Sequence, residues 1–140
     1  MAFSSPDGFT PHTRKSPLTD PWEPLYAQVL EDRFRIGLEV RAVHANSRGM
    51  LHGGLIAALV DNAMGLSCGQ VLAAQAIAAS GLVTVSLNVD YLGLAQLGQW
   101  LVFDTHFVKP GKALCFAEAG VTADGVAIAR ARASFKVLSA

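Results

Sequence analysis

The chain has little charge. Lys and Arg total 11 and Asp and Glu total 11 in 140 residues, so the formal net charge is zero. A neutral chain sets up no global field to recruit nucleic acid or an anionic membrane, and any anion must be held by a local cluster. Cysteine is equally scarce. Cys68 and Cys115 stand alone, with no CxxC or CxxH spacing, which excludes a disulfide framework and a zinc site and leaves two packing thiols. Proline is nearly absent after residue 24, with only Pro110 beyond it. A charged segment followed by an apolar one is missing at the start, and Asp61, Gly65, Gly69, Gln70 and Gln75 interrupt the apolar stretches, so a cytoplasmic protein without a membrane span is expected.

What is abundant is apolar surface: 51% of the residues are hydrophobic. That fraction suits one domain with a well-filled core and suggests burial beyond what a monomer needs, hence self-association. Pro6, Pro11, Pro17, Pro21 and Pro24 punctuate the opening, so residues 1–22 read as an irregular arm with no catalytic role, and residues 23–140 as a single domain. Trp22, Leu25, Tyr26 and Val29 recur at helical spacing, which predicts a short helix over 23–30. From Phe34 to Val43 apolar and polar residues alternate as in a half-buried strand.

Leu55, Ile56, Leu59, Val60, Ala63, Met64 and Leu66 then predict one long helix running to about Gln75, buried on nearly all sides. Four strands follow, joined by short turns. In "VTVSLNVDY", Val83, Val85, Leu87, Val89 and Tyr91 should face the core, while Thr84, Ser86, Asn88 and Asp90 face something polar. "WLVFDTHFV", the turn "KPGK", "ALCFAEAGVT", the turn "ADG" and "VAIARARASFKVL" complete the chain. In the last strand Ala127, Ala129, Ala131, Ala133 and Phe135 share one face, small enough to let a helix approach; Ile128, Arg130, Arg132, Ser134 and Lys136 share the other. The order describes an α+β domain with an antiparallel sheet wrapped around one long central helix, the hotdog architecture.

The chemistry concentrates in "LHGGLIAALVDNAM". The first N–H groups of a helix lack intrahelical partners, and glycine lets another group approach them, so Gly53 and Gly54 after His52 form a candidate oxyanion site. The alternative is a tight turn where the helix crosses the sheet. Asp61 interrupts an apolar run, where burial would raise its pKa and make it a better base near neutrality; a paired structural Asp is the competing reading. Eight residues separate Gly53 from Asp61, which on a helix is about 12 Å along the axis and about 80° around it. A reacting carbonyl cannot sit against both in one chain, so the spacing predicts a site shared by two subunits.

Asn46, His52, Gly53, Gly54 and Asp61, in the pattern N-x5-HGG-x7-D, together with "TVSLNVDYL" and the "KPGK" hairpin, resemble the phenylacetate-degradation (PaaI-like) branch of hotdog-fold thioesterases. The resemblance covers roughly Phe34 to Leu138. It implies metal-free hydrolysis of acyl-CoA by homodimers or homotetramers, with CoA present only as part of the substrate. By that resemblance Asp61 activates water or acts as nucleophile, and Gly53 supplies the oxyanion N–H. Asn46 lies near the thioester, His52 orders the helix start, and Thr84 places a hydroxyl near the attacking water. Gly54, Lys109, Gly111, Lys112 and Lys136 would contact the CoA portion, whereas Arg130 and Arg132 read as a solvated strand face. Competing functions are a hotdog hydratase or dehydratase and a non-catalytic acyl-CoA binding protein; a serine hydrolase lacks its GxSxG elbow. The expected acyl pocket draws on Trp22, Leu25, Tyr26, Leu55, Leu59, Met64 and Tyr91, which suit an aryl ring or an alkyl chain alike.

Overall fold

The computed structural model describes residues 3–139. One helix, α1 (Gly53–Ala74), packs on a seven-stranded antiparallel sheet made of β1 (Thr10–Pro11), β2 (Tyr26–Val29), β3 (Phe34–Glu39), β4 (Gly81–Tyr91), β5 (Trp100–Lys109), β6 (Leu114–Ala123) and β7 (Val126–Leu138). Spatial order is β1-β2-β3-β5-β6-β7-β4, so β4 leaves the helix, crosses over and becomes the far edge beside β7. This is the hotdog fold.

α1 turns Leu55, Ile56, Leu59, Val60, Ala63, Met64, Ser67, Cys68 and Leu72 into the core. They meet Ala117 and Ala119 of β6 and Ala131 and Ala133 of β7, all buried, and the short side chains let the helix lie close to the sheet. Each fully buried leucine such as Leu59 contributes about 1.5–3 kcal/mol. Ser67 both accepts the Phe34 N–H (3.0 Å) and donates to the Phe34 carbonyl (3.1 Å), tying α1 to β3 without leaving a polar group unpaired. Cys68 and Cys115 meet across the helix-sheet core, and burial pushes both thiols up, as packing thiols.

Four expectations are corrected. Residues 26–29 form β2, not part of a helix. β3 would otherwise present an open edge, and the ladder bonds it accepts from β2 outweigh a weak helical spacing; Leu25 and Ala27 turn inward on either side of Tyr26. The opening arm is also more than irregular chain. Thr10 and Pro11 pair with β2, Phe9 packs edge-on against Trp100, and a 3-10 turn spans Asp20–Trp22.

α1 is not buried all round. Ala57, Ala58, Asp61, Asn62, Gly65 and Leu66 form a half-buried stripe. The interruptions in the apolar run do not shorten this helix either: its length and composition would suit a membrane span, and about half of its apolar stretch is buried against the sheet.

Strand parity, fourth, departs from strict alternation. Thr84 pairs with Phe135 and Ser86 with Ser134, leaving Val85 as a bulge. A second bulge makes Ile128 an extra residue in β7, buried rather than outward beside Arg130.

Candidate active site

His52 is the N-cap of α1, and its Nδ1 accepts the Gly54 N–H at 2.8 Å. The N–H groups of Leu55 and Ile56 reach the His52 carbonyl at 3.1 and 3.3 Å. Among the described residues this leaves the Gly53 N–H as the one first-turn donor without a partner. Glycine suits a close approach there: a Cβ on Gly53 would lie 3.3 Å from the Tyr91 ring, a tight contact that would push the ring back. The Tyr91 hydroxyl donates to the Gly53 carbonyl at 2.7 Å.

Two turns along α1, Asp61 is half-buried, and its Oδ1 accepts the Thr84 hydroxyl at 2.8 Å. Strict alternation from Tyr91 would put Thr84 on the outer face. The bulge at Val85 returns it to the helix side, opposite the buried Phe135.

Asp61 and Thr84 sit at the edge of a cavity of about 650 Å³ between α1 and the start of β4. Gly65, Gly69 and Ala73 keep the helix wall low; Leu66, Leu82 and Phe135 contribute apolar side chains and Asn62, Gln70 and Ser80 polar ones. A second cavity of about 280 Å³ opens on the other side of Asp61, under the arm. Arg14 lines both cavities, placing a cation near the carboxylate from a segment to which sequence reasoning assigned no role.

The expected acyl wall is only partly present. Leu25, Leu59 and Met64 are consumed by the core, and Tyr26 packs on Phe3 and Trp100. Trp22 and Leu55 instead line a cavity of about 270 Å³ beside His52 and Gly54. Tyr91 is at the helix opening, in hydrogen-bond contact with Gly53.

Asn46 lies in the loop before α1, where its Oδ1 accepts the N–H groups of Arg48 (2.9 Å) and Met50 (3.1 Å). The carbonyl oxygen is thus engaged in shaping the loop, and the amide nitrogen has no protein partner among the described residues. The buried His44 holds this loop to the arm through Trp22, whose carbonyl lies 2.9 Å from Nε2.

Lys109 ends β5, and Gly111 and Lys112 form the turn to β6; a Cβ on Gly111 would meet the Leu114 carbonyl at 2.5 Å, so the turn admits only glycine. Lys136 is exposed on the outer face of β7, across from Val83. These cations gather at the Thr84 end of β4, while Gly53 is at the Tyr91 end. One chain therefore does not bring its lysines to its own oxyanion donor. Arg130 is paired with Asp90 at 3.0 Å, consistent with a solvated strand face.

Burial lowers the pKa of both His12 and His44. For His12, Glu23 works against that shift while Lys15 and Arg14 add to it. For His44, the bond to the Trp22 carbonyl works against it and Arg41 adds to it.

Residues 48–129 match the family model of the thioesterase superfamily. A protein of Pseudomonas aeruginosa is 34% identical over 115 residues, 81% of this chain and 83% of that one. Human acyl-coenzyme A thioesterase 13 is 39% identical over 99 residues, 68% of this chain and 66% of its own length. Among solved structures, mouse thioesterase superfamily member 2 superposes with a TM-score of 0.69 at 28% identity, covering 82% of each chain. A hypothetical thioesterase of Streptococcus pneumoniae, solved with coenzyme A, shares the fold at a TM-score of 0.73 and 21% identity over 84% of this chain and 91% of that one. A helix that opens on His-Gly-Gly, a carboxylate two turns along it and a sheet curled around both accord with these matches: the chain belongs to the thioesterase superfamily.

Proposed function

We propose that the protein hydrolyses acyl-CoA thioesters as a two-fold assembly, each site combining Asp61 and Thr84 of one subunit with Gly53 of the partner subunit. The observation that carries this reading is the pairing of a hydroxyl-held carboxylate, open to a cavity of mixed polar and apolar lining, with a single unpartnered N–H among the described residues at the same helix's start. Asp61 takes a proton from water as the oxygen bonds to the thioester carbon. The carbonyl oxygen gathers negative charge against the Gly53 N–H; as the carbonyl re-forms the carbon–sulfur bond breaks, and Asp61 returns its proton to the departing sulfur, releasing CoA thiol and the free acid. Direct attack by the carboxylate, giving an anhydride that water opens, uses the same groups.

Self-association is supported by β4. It is an edge strand 11 residues long, with Val83, Val85, Leu87 and Tyr91 exposed, and such an edge pairs with another chain unless covered. The half-buried stripe of α1 offers a second contact. CoA as the leaving group is supported by the named activity of the human relative and by the coenzyme A in the pneumococcal structure. Lys109, Lys112 and Lys136, with Gly54 and Gly111, are proposed to hold the CoA portion, and Asn46 and His52 to order the thioester end.

The test is release of CoA thiol from a panel of aryl and straight-chain acyl-CoA thioesters by wild type and Asp61→Asn. Turnover by wild type with kcat at least about a hundredfold lower in the variant is the expected result. Absence of turnover on every thioester overturns the hydrolase reading. After single turnover in ¹⁸O-water, label in the Asp61 carboxylate identifies an anhydride opened by water at the Asp61 carbon, since the general-base route labels only the released acid.

A further inference from the structure

Tyr91 and Thr84 are seven residues apart on β4. An odd separation puts two side chains on opposite faces of a regular strand. Here both reach α1, Thr84 at Asp61 and Tyr91 at Gly53, because the unpaired Val85 lies between them and resets the alternation. Thr84, Leu87, Val89 and Tyr91 consequently lie opposite Phe135, Ala133, Ala131 and Ala129 of β7, all buried. One strand thus grips the helix at both of its reactive positions.

The grip at Gly53 matters because glycine is the residue least able to hold a direction by itself. The peptide preceding Gly53 is fixed through the His52 carbonyl, which accepts from Leu55 and Ile56. The peptide following it is held at both ends: Tyr91 donates to its carbonyl at 2.7 Å, and its N–H, that of Gly54, is bound to His52 Nδ1 at 2.8 Å. With both flanking planes fixed, the free Gly53 N–H points in one direction before substrate arrives. Pre-aimed donors of this kind are worth more to an enzyme than mobile ones, because no reorganisation is needed when charge develops.

We infer that Tyr91 is a positioning residue for the oxyanion donor, and that the Val85 bulge exists to place it on the same side of β4 as Thr84. This rests on the proposed thioesterase reaction for its kinetic consequence, but its structural core does not. The side chain has a reason to be a tyrosine: along β4 the two grips are about 20 Å apart, against about 12 Å between Gly53 and Asp61 on the helix, and a long side chain closes the difference. It also links assembly to chemistry, since the strand holding both groups is the exposed edge.

Tyr91→Phe keeps the ring against Gly53 and removes only the hydroxyl. The expected result is a kcat about tenfold lower on the best thioester, KM within about twofold, an unchanged melting temperature and unchanged oligomer size. In ¹H–¹⁵N spectra the Gly53 and Gly54 amides shift and exchange faster with solvent, while the Thr84 amide stays in place. Unchanged kcat with unchanged Gly53 and Gly54 amides overturns the inference. So does a loss seen equally in kcat, KM and melting temperature, which marks a merely structural tyrosine. If wild type turns over no thioester, the proposed reaction falls, and the amide spectra alone decide whether Tyr91 aims the Gly53 N–H.

Discussion

The Thr84 hydroxyl donates to Asp61 Oδ1 at 2.8 Å across the gap between β4 and α1. A carboxylate that must act on water needs one oxygen oriented and the other free, and a single hydroxyl donor on Oδ1 meets that condition. Thr84→Ala should therefore lower kcat about tenfold or more with little change in KM, and Thr84→Ser should retain most of the activity. Steady-state kinetics on one good thioester checks both; equal losses in the two variants would show that the methyl group, not the hydroxyl, is what matters.

Leu87 faces the helix side of the exposed edge strand β4 and is itself exposed in the single chain. If this edge pairs with a second chain, a charge there is buried at the interface, which costs little in a monomer and much in a dimer. Leu87→Glu should shift the protein toward monomer in light scattering and remove thioesterase activity together with the assembly. A fully active monomer would contradict the shared site.

Gly65 is in the interior of α1, on the wall of the large cavity, and a Cβ there would meet the Phe135 ring at an ordinary 3.5 Å. Gly65→Ala should stabilise the helix by up to about 1 kcal/mol, visible as a rise of a few degrees in melting temperature. The added methyl also narrows the cavity. Relative to wild type, kcat/KM should fall for bulky acyl groups and hold for short ones, and a uniform response across the acyl panel would place the acyl group elsewhere.

His12 and His44 are both buried and both have pKa values lowered from 6.5, chiefly by burial. In the folded state each is kept neutral, whereas the unfolded chain takes up a proton at about pH 6.5, so unfolding binds protons and stability rises with pH in that range. The protein should be fully stable above about pH 7 and should weaken steadily as pH falls below 6.5 toward the lowered folded values. Urea midpoints between pH 8 and pH 5 measure the slope. His12 has neither ring nitrogen hydrogen-bonded among the described residues and packs edge-on against Phe34, so His12→Phe should keep the packing, flatten part of the slope and leave stability at pH 8 intact or improved.

Much of this molecule was legible in its residues. The apolar pattern from Leu55 onward belongs to a helix because the spacing suits nothing else, and the structure runs it from Gly53 to Ala74. The three strands after Trp100 follow alternation and turn residues closely enough that their bounds differ from the reading by a residue or so. These are local matters: periodicity and turn chemistry act over a few residues, and the information is all in the neighbourhood. His-Gly-Gly and Asp61 were conspicuous for the same reason, since each breaks a local rule of helix composition.

What the sequence could not contain were facts set by partners distant along the chain. Whether 26–29 coils or extends depends on β3 having an edge to fill. Which way Thr84 faces depends on Val85 failing to pair with β7, some fifty residues away, and a simple count by twos put Thr84 with Ser86. Arg14 and Tyr91 acquired their places in the same way, through an arm pinned onto β2 and a strand laid along the helix. Sequence determined the helix, the five strands from β3 onward and the residues that break their rules. Tertiary structure decided which of those residues meet, because a one-residue bulge or an open sheet edge is settled by hydrogen bonds between segments that sequence alone does not bring together.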